Sequence, residues 1–174
     1  GKIVVSFLMG SQRLYDFVDD NPSIYMAPVD YVNHPIIIGQ NDNLVSINSS
    51  VEVNLMGEAC SEAMGLKQFS GIGGQVDFIR GASFSKGGRS ILAFPSTAKK
   101  GTVSKIVPYL TQGGTVTTSR NDVDYIVTEH GIAKMKGNTL RERARQLIRI
   151  AAPQFRDGLA EEFERRFAEK YQEV

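Results

Sequence analysis

The stretch Ser70-Gly71-Ile72-Gly73-Gly74-Gln75-Val76-Asp77-Phe78 decides how the rest of this 174-residue chain is read. Three glycines in four positions strip side chains from a turn, so backbone N–H groups can come within hydrogen-bonding distance of a ligand. Val76, Phe78 and Ile79 follow at positions that suit a helix over Val76–Ser83. A glycine turn feeding a helix N-terminus offers unpaired N–H donors and partial positive charge to an anion or a developing oxyanion. The same glycines also fit a plain tight turn at a crowded strand-to-helix crossing, so by themselves they leave both readings open.

Working outward, strand-like and helix-like segments alternate. Ile3 to Phe7 is an apolar run rich in β-branched residues and predicts a buried strand. Ser11 is placed to cap a helix running through Asp19, which Asn21-Pro22 ends. Ile24 to Ala27 reads as a short strand, and Pro28 to Asn33 as a helical turn stopped by Pro35. Leu44–Ile47 and Val51–Leu55 alternate at period two around a turn at Asn48–Ser50. Ile91–Phe94, Val103–Val107, Thr115–Thr118 and Tyr125–Val127 are further expected strands. The last third is helical: Leu140, Ala144, Leu147, Ile148 and Ala151 form one apolar face. After Pro153, Phe155, Leu159, Phe163 and Phe167 recur every four residues on a second amphipathic helix. The mixed charges opposite these faces read as a solvated surface, and the aromatic stripe reads as core rather than a cofactor box.

Composition bounds the function. At 41% hydrophobic and 22% charged residues the chain matches ordinary globular averages and is long enough for one good core. A net charge of +1, with scattered basic residues, gives no field that would favour a nucleic acid or a membrane surface. Cys60 is the only cysteine, which excludes an internal disulfide and a multi-cysteine metal site and suits a reducing, cytoplasmic compartment. No apolar run is long enough to span a bilayer. The chain opens without Met, directly on the expected strand at Lys2-Ile3-Val4, so it is read as a fragment of a longer protein.

Four further stretches surround the glycine turn. They are Asn41-Asp42-Asn43-Leu44-Val45-Ser46-Ile47-Asn48-Ser49, Val51-Glu52-Val53-Asn54-Leu55-Met56-Gly57, the segment from Phe94-Pro95-Ser96 to Val107-Pro108, and Asp124-Tyr125-Ile126-Val127-Thr128-Glu129-His130-Gly131. In this order the set resembles the C-terminal half of the acetyl-CoA hydrolase/transferase family, whose members include 4-hydroxybutyrate and butyryl-CoA:acetate CoA-transferases. The resemblance runs from about Gly1 to about Phe167. It implies an α/β domain of three α/β/α layers around a mainly parallel, CoA-transferase-like sheet, with C-terminal helices. The whole chain, residues 1–174, is then the C-terminal CoA-transferase domain, with an upstream domain of the same protein and a possible homodimer as partners.

The chemistry follows from the resemblance. Enzymes of this family move CoA between an acyl-CoA and a small carboxylate through a glutamyl-CoA thioester, with acyl-CoA as substrate and no permanently bound cofactor or metal. The reaction needs a desolvated carboxylate nucleophile, donors for the thioester oxyanion, and a groove for the pantetheine arm. Gly71, Gly73 and Gly74 match the glycine loop that lies against the thioester and CoA. The family's nucleophilic glutamate falls in a motif upstream of Lys2, and Glu52, Glu58, Glu62 and Glu129 do not match it. Glu129 matches an acidic residue bordering the active site, at the carboxyl end of a strand where open α/β sheets place functional groups; a carboxylate capping the next turn is the plainer alternative. Lys100, in Lys99-Lys100-Gly101, suits a CoA phosphate or is simply an exposed loop lysine. His34 and His130 read as structural. Cys60 departs from the family's usual asparagine, which bears on acceptor choice or reflects a small buried thiol. An acyl-CoA hydrolase and a non-catalytic CoA- or nucleotide-binding module are the rival functions.

Overall fold

The computed structural model describes residues 1–172 as a mixed α/β fold with several small sheets. In chain order the elements are β1 (Ile3–Val5), α1 (Gln12–Val18), β2 (Ile24–Met26), α2 (Val29–Val32), α3 (Pro35–Gly39), β3 (Val45–Asn48) and β4 (Glu52–Asn54). Next come β5 (Ala59–Cys60), β6 (Ala63–Met64), β7 (Lys67–Gln68), α4 (Gln75–Phe84), β8 (Arg89–Ala93), β9 (Thr97–Ala98), β10 (Val103–Ser104) and β11 (Ile106–Val107). The chain closes with β12 (Tyr125–Thr128), β13 (Gly131–Lys134), α5 (Leu140–Arg149) and α6 (Pro153–Phe167).

The largest sheet has the order β13-β12-β8-β3. Strands β3, β8 and β12 run parallel, and β13 returns antiparallel to β12. Because side chains alternate along a strand, this sheet has two distinct faces. Ser46, Ser90, Leu92, Ile126, Thr128 and Ala133 occupy a buried face. On the other, Ile47 is 67% exposed and Ile132 59% exposed. Helix α4 packs on β3 and β8, and α5 packs on β13. A second sheet of order β11-β4-β5 contributes Val53, Ala59 and Ile106 to the same core.

The C-terminal helices form for reasons visible in the residues. Thr139 Oγ1 accepts the Glu142 N–H while Glu142 Oε2 accepts the Thr139 N–H at 2.8 Å, a reciprocal cap that starts α5. Ala144, Leu147, Ile148 and Ala151 are fully buried, whereas Leu140 at the start of the stripe is partly exposed. Pro153 opens α6, where its missing N–H costs nothing, and Leu159 and Phe163 lie in the core. Phe163 is flanked by the Phe167 and Tyr171 rings at 4.8 and 5.7 Å between centroids.

Three expectations change and a fourth is extended. The first strand is not buried: among the described residues β1 pairs only with β2, in parallel, and Ile3 is 52% and Phe7 72% exposed. The helical turn does end at Asn33, ahead of Pro35, but Pro35 also starts a further helix, α3, where His34 is extended and its Nδ1 accepts the Ile36 N–H as the cap. The Val103–Val107 run is broken between β10, in a hairpin with β9, and β11, beside β4. Thr115–Thr118 is not a strand; only Thr118 bridges to Ala59.

Candidate functional site

The glycine turn leads into α4 as expected, and Gly74 is the helix N-cap with no side chain capping it. Gly73 takes φ +61°, a left-handed conformation that disfavours any side chain, and the space around its would-be Cβ is open. At Gly74 a Cβ would meet Nδ2 of Asn33 at 2.1 Å, so a side chain there would have to displace the end of the Asn33 side chain. The turn lines an open cleft of about 1010 Å³ together with Val4, Val5, Asn33, His34 and Asn48. Gly71 lies outside the lining of that cleft but has nothing within 4 Å of a Cβ position.

Asn48 ends β3, Ser96 follows β8, and Glu129 follows β12 directly, so all three sit at the carboxyl edge of the parallel strands. Open α/β sheets bind ligands at this edge. Glu129 is gripped there by one residue. Its Oε2 accepts the Ser96 N–H at 2.8 Å and its Oε1 accepts the Ser96 hydroxyl at 2.6 Å. The Ser96 hydroxyl, more than any other group, holds the Glu129 carboxyl below its ordinary range, and His130 adds a smaller charge effect with Nε2 at 3.6 Å.

Ser96 also accepts the Lys105 N–H at 2.8 Å, at the foot of the β9–β10 hairpin. At the hairpin's tip Lys99 and Lys100 both adopt left-handed φ, 48° and 57°, before Gly101 at 88°. Glu129 therefore anchors the base of the hairpin that carries Lys100. Lys105 is half-buried with its Nζ 4.9 Å from the centre of the Phe94 ring. Burial pushes its ammonium pKa down, and the Glu129 charge opposes that shift.

The structure thus groups the residues singled out from sequence into two places: Gly73 and Gly74 on the cleft, and Glu129 with the Lys100 hairpin at the strand ends. Asn48, Ser96 and Lys105 were not singled out. Asn48 and Ser96 could have been found by looking past the carboxyl ends of each expected strand. Lys105 lay hidden inside a run read as one continuous strand. Cys60 is fully buried and its thiol donates to the Ala63 carbonyl at 3.1 Å. No group of three His, Cys, Asp or Glu side chains suited to a metal ion occurs among the described residues.

Residues 10–163 match the acetyl-CoA hydrolase/transferase C-terminal domain. The chain belongs to the acetyl-CoA hydrolase/transferase family. It is 64% identical over 167 residues to a 4-hydroxybutyrate coenzyme A transferase of Clostridium kluyveri, covering 96% of this chain and 39% of that one. It is 56% identical over 161 residues to a succinyl-CoA:cyclohexane-1-carboxylate CoA transferase of Geobacter metallireducens, covering 92% and 37%. The crystal structure of RipA from Yersinia pestis superimposes with a TM-score of 0.90 at 51% identity, over 96% of this chain and 38% of that one. The family chain described here spans under two-fifths of the length of these relatives.

Proposed function

We propose that the full-length protein is a cytoplasmic CoA-transferase that moves CoA between an acyl-CoA and a small carboxylate such as 4-hydroxybutyrate, butyrate or acetate. The observation carrying this reading is the uncapped glycine turn opening on the cleft, in a chain whose relatives are named CoA-transferases. In the reaction a glutamate carboxylate from the upstream part of the protein attacks the thioester carbonyl. The C–S bond breaks, and an acyl-glutamyl anhydride and CoA thiolate form. The thiolate then attacks the glutamyl carbonyl, releasing the acyl group as its carboxylate and leaving a glutamyl-CoA thioester. An incoming carboxylate reverses both steps.

Within this reading the N–H groups of Gly71, Gly73 and Gly74 stabilise the thioester oxyanion, and Lys100 meets a phosphate of CoA. Glu129 is accessory: with both oxygens bonded to Ser96 it shapes the strand-end edge rather than attacking substrate. CoA is substrate, and no resident cofactor is required. Residues 1–174 are the C-terminal domain, and an upstream domain completes the site. A second layer from that domain, covering the exposed face bearing Ile47 and Ile132, would make the three-layer, mainly parallel arrangement.

The test uses both forms of the protein. This chain alone folds but shows no turnover with acyl-CoA and carboxylate pairs, while the full-length protein transfers CoA to added carboxylate. Full-length protein that releases acid to water regardless of carboxylate is a hydrolase. Borohydride reduction after acyl-CoA treatment, followed by mass spectrometry, locates the reduced glutamate upstream of Gly1. Reduction at Glu129 overturns its accessory assignment.

A further inference from the structure

Residues 71–74 have little of their own to hold them in place. Two of their glycines have no atom within 4 Å of a Cβ position, and Ile72 is exposed. Such a turn keeps a fixed geometry only if its two ends are fixed. At the downstream end Gln75 donates from Nε2 to the Thr118 hydroxyl at 2.9 Å. At the upstream end the Glu62 carbonyl accepts the Phe69 N–H at 2.7 Å and the Ser70 N–H at 3.3 Å. Gln68 Nε2 reinforces this end, donating to the Ser70 carbonyl at 2.7 Å and to Glu62 Oε1 at 3.4 Å.

The two ends converge on one segment. The Glu62 carboxylate accepts the Thr115 hydroxyl at 3.2 Å on Oε1 and the Thr117 hydroxyl at 3.1 Å on Oε2. Thr117 Oγ1 in turn accepts the Ser61 N–H at 2.9 Å. Residues 115–118 are therefore the common post to which both ends of the glycine turn are tied, and Glu62 makes the upstream tie. Its partners are hydroxyls and an amide, with no ion pair among the described residues, so its task depends on hydrogen-bond geometry.

We propose that Glu62 is a positioning residue for the glycine turn, holding its N–H donors at the distance a thioester oxyanion requires. The inference rests on the transferase reading above. Donors displaced by about 1 Å lose on the order of 10²-fold in rate, and the loss falls on the chemical step when ground-state binding uses other contacts. Removing the Glu62 tie thus lowers kcat and leaves KM for acyl-CoA nearly unchanged.

The experiment compares Glu62→Ala, Glu62→Gln and Gln75→Leu with wild type in the full-length protein, by steady-state kinetics and amide hydrogen exchange. Glu62→Ala is expected to lower kcat at least about tenfold, with KM for acyl-CoA within about threefold, and to speed exchange at residues 69–75 but not in β8. Glu62→Gln, which can still accept from one threonine and donate to the other, stays within about threefold of wild type in both constants. Gln75→Leu, cutting the downstream tie, reproduces the alanine signature even if Glu62→Ala folds poorly. Wild-type kcat in Glu62→Ala, unaltered exchange at 69–75, or equal damage from glutamine and alanine would each overturn the proposal. A full-length protein with no transferase activity would instead defeat the functional reading, leaving exchange to decide whether Glu62 holds the turn.

Discussion

The first thirty residues and the last thirty-five described residues are similarly apolar in pattern, yet they end up in opposite environments. Helix α6 puts Leu159 and Phe163 into the core, α5 adds three wholly buried side chains in Ala144, Leu147 and Ile148, and Ala151 just after it is buried too. Helix α1 has no buried residue at all, and Phe17 on it is 54% exposed. Strand β1 offers Ile3 and Val4 to solvent on a two-stranded sheet. Periodicity records that a surface is shaped to be covered; it does not record what covers it. In the C-terminal helices the cover is the sheet core of the same chain. In the N-terminal segment the described residues cover only Ala27 fully and leave Val5, Leu14, Val18 and Ile24 half-buried.

The largest effect that sharpens this contrast is a core truncation. Phe163→Ala removes a fully buried ring packed on Phe167 and Tyr171 and should destabilise the chain by about 3–5 kcal/mol in denaturant unfolding. Phe17→Ala, a chemically identical change in α1, should fall within about 0.5 kcal/mol of wild type. Comparable losses at both positions would break the contrast.

Next comes Gly73→Val in the full-length protein. The φ of +61° makes a branched side chain cost about 1–2 kcal/mol of folding stability, and the open space means no clash is added. Turnover should drop on the order of 10²–10³-fold, because the side chain obstructs the cleft and draws the Gly73 N–H away from the oxyanion. A variant that melts near wild type and keeps its activity would make the turn purely structural.

Legibility followed the same divide. The C-terminal helices, the strand at Tyr125–Val127 and the helix after the glycine turn could be read directly, because their apolar spacing and their packing agree. Pro35 ends the turn before it as expected, yet it also starts α3, because proline is equally suited to a helix's first position and only the His34 cap reveals that second role. Thr115–Thr118 has β-branched residues yet no ladder, since its hydroxyls and backbone are used by Glu62, Gln75 and Ala59. The pairing of Glu129 with Ser96 spans 33 residues and leaves no local signature. Chain position past a strand end was its only sequence signal.

A smaller effect separates the strand-end carboxylate from an ordinary surface acid. Glu129 is held below its usual range of about 4.5, chiefly by the Ser96 hydroxyl. A carboxyl depressed in the folded state adds stability that is present above its unfolded pKa and lost as pH falls through its folded pKa. Ser96→Ala should therefore be less stable than wild type at pH 7, and the gap should close as the medium is taken below pH 4.5 toward the depressed folded value. With Glu129 about half exposed, solvent screening keeps the gap under about 1 kcal/mol. Parallel pH–stability curves for the two proteins would show that the clamp does not favour the ionised form.

The smallest effect in this chain is the one that tests the contrast most directly. Ile47 and Ile132 stand on the exposed face of the main sheet, on β3 and β13, with β8 and β12 between them. Replacing either with serine removes little buried area here, so Ile47→Ser and Ile132→Ser should each change unfolding stability by under about 0.5 kcal/mol in the chain alone. If an upstream layer covers this face in the full-length protein, the same substitutions bury a hydroxyl and lose apolar contact there. Each should then cost more than about 1 kcal/mol, because an unpaired buried hydroxyl alone costs about 1–3 kcal/mol. The informative quantity is the difference between the two contexts for one substitution, which cancels effects on strand propensity. Equal, near-zero changes in both contexts would mean that this face stays open to solvent in the complete protein, and that the apolar residues on it mark no layer at all.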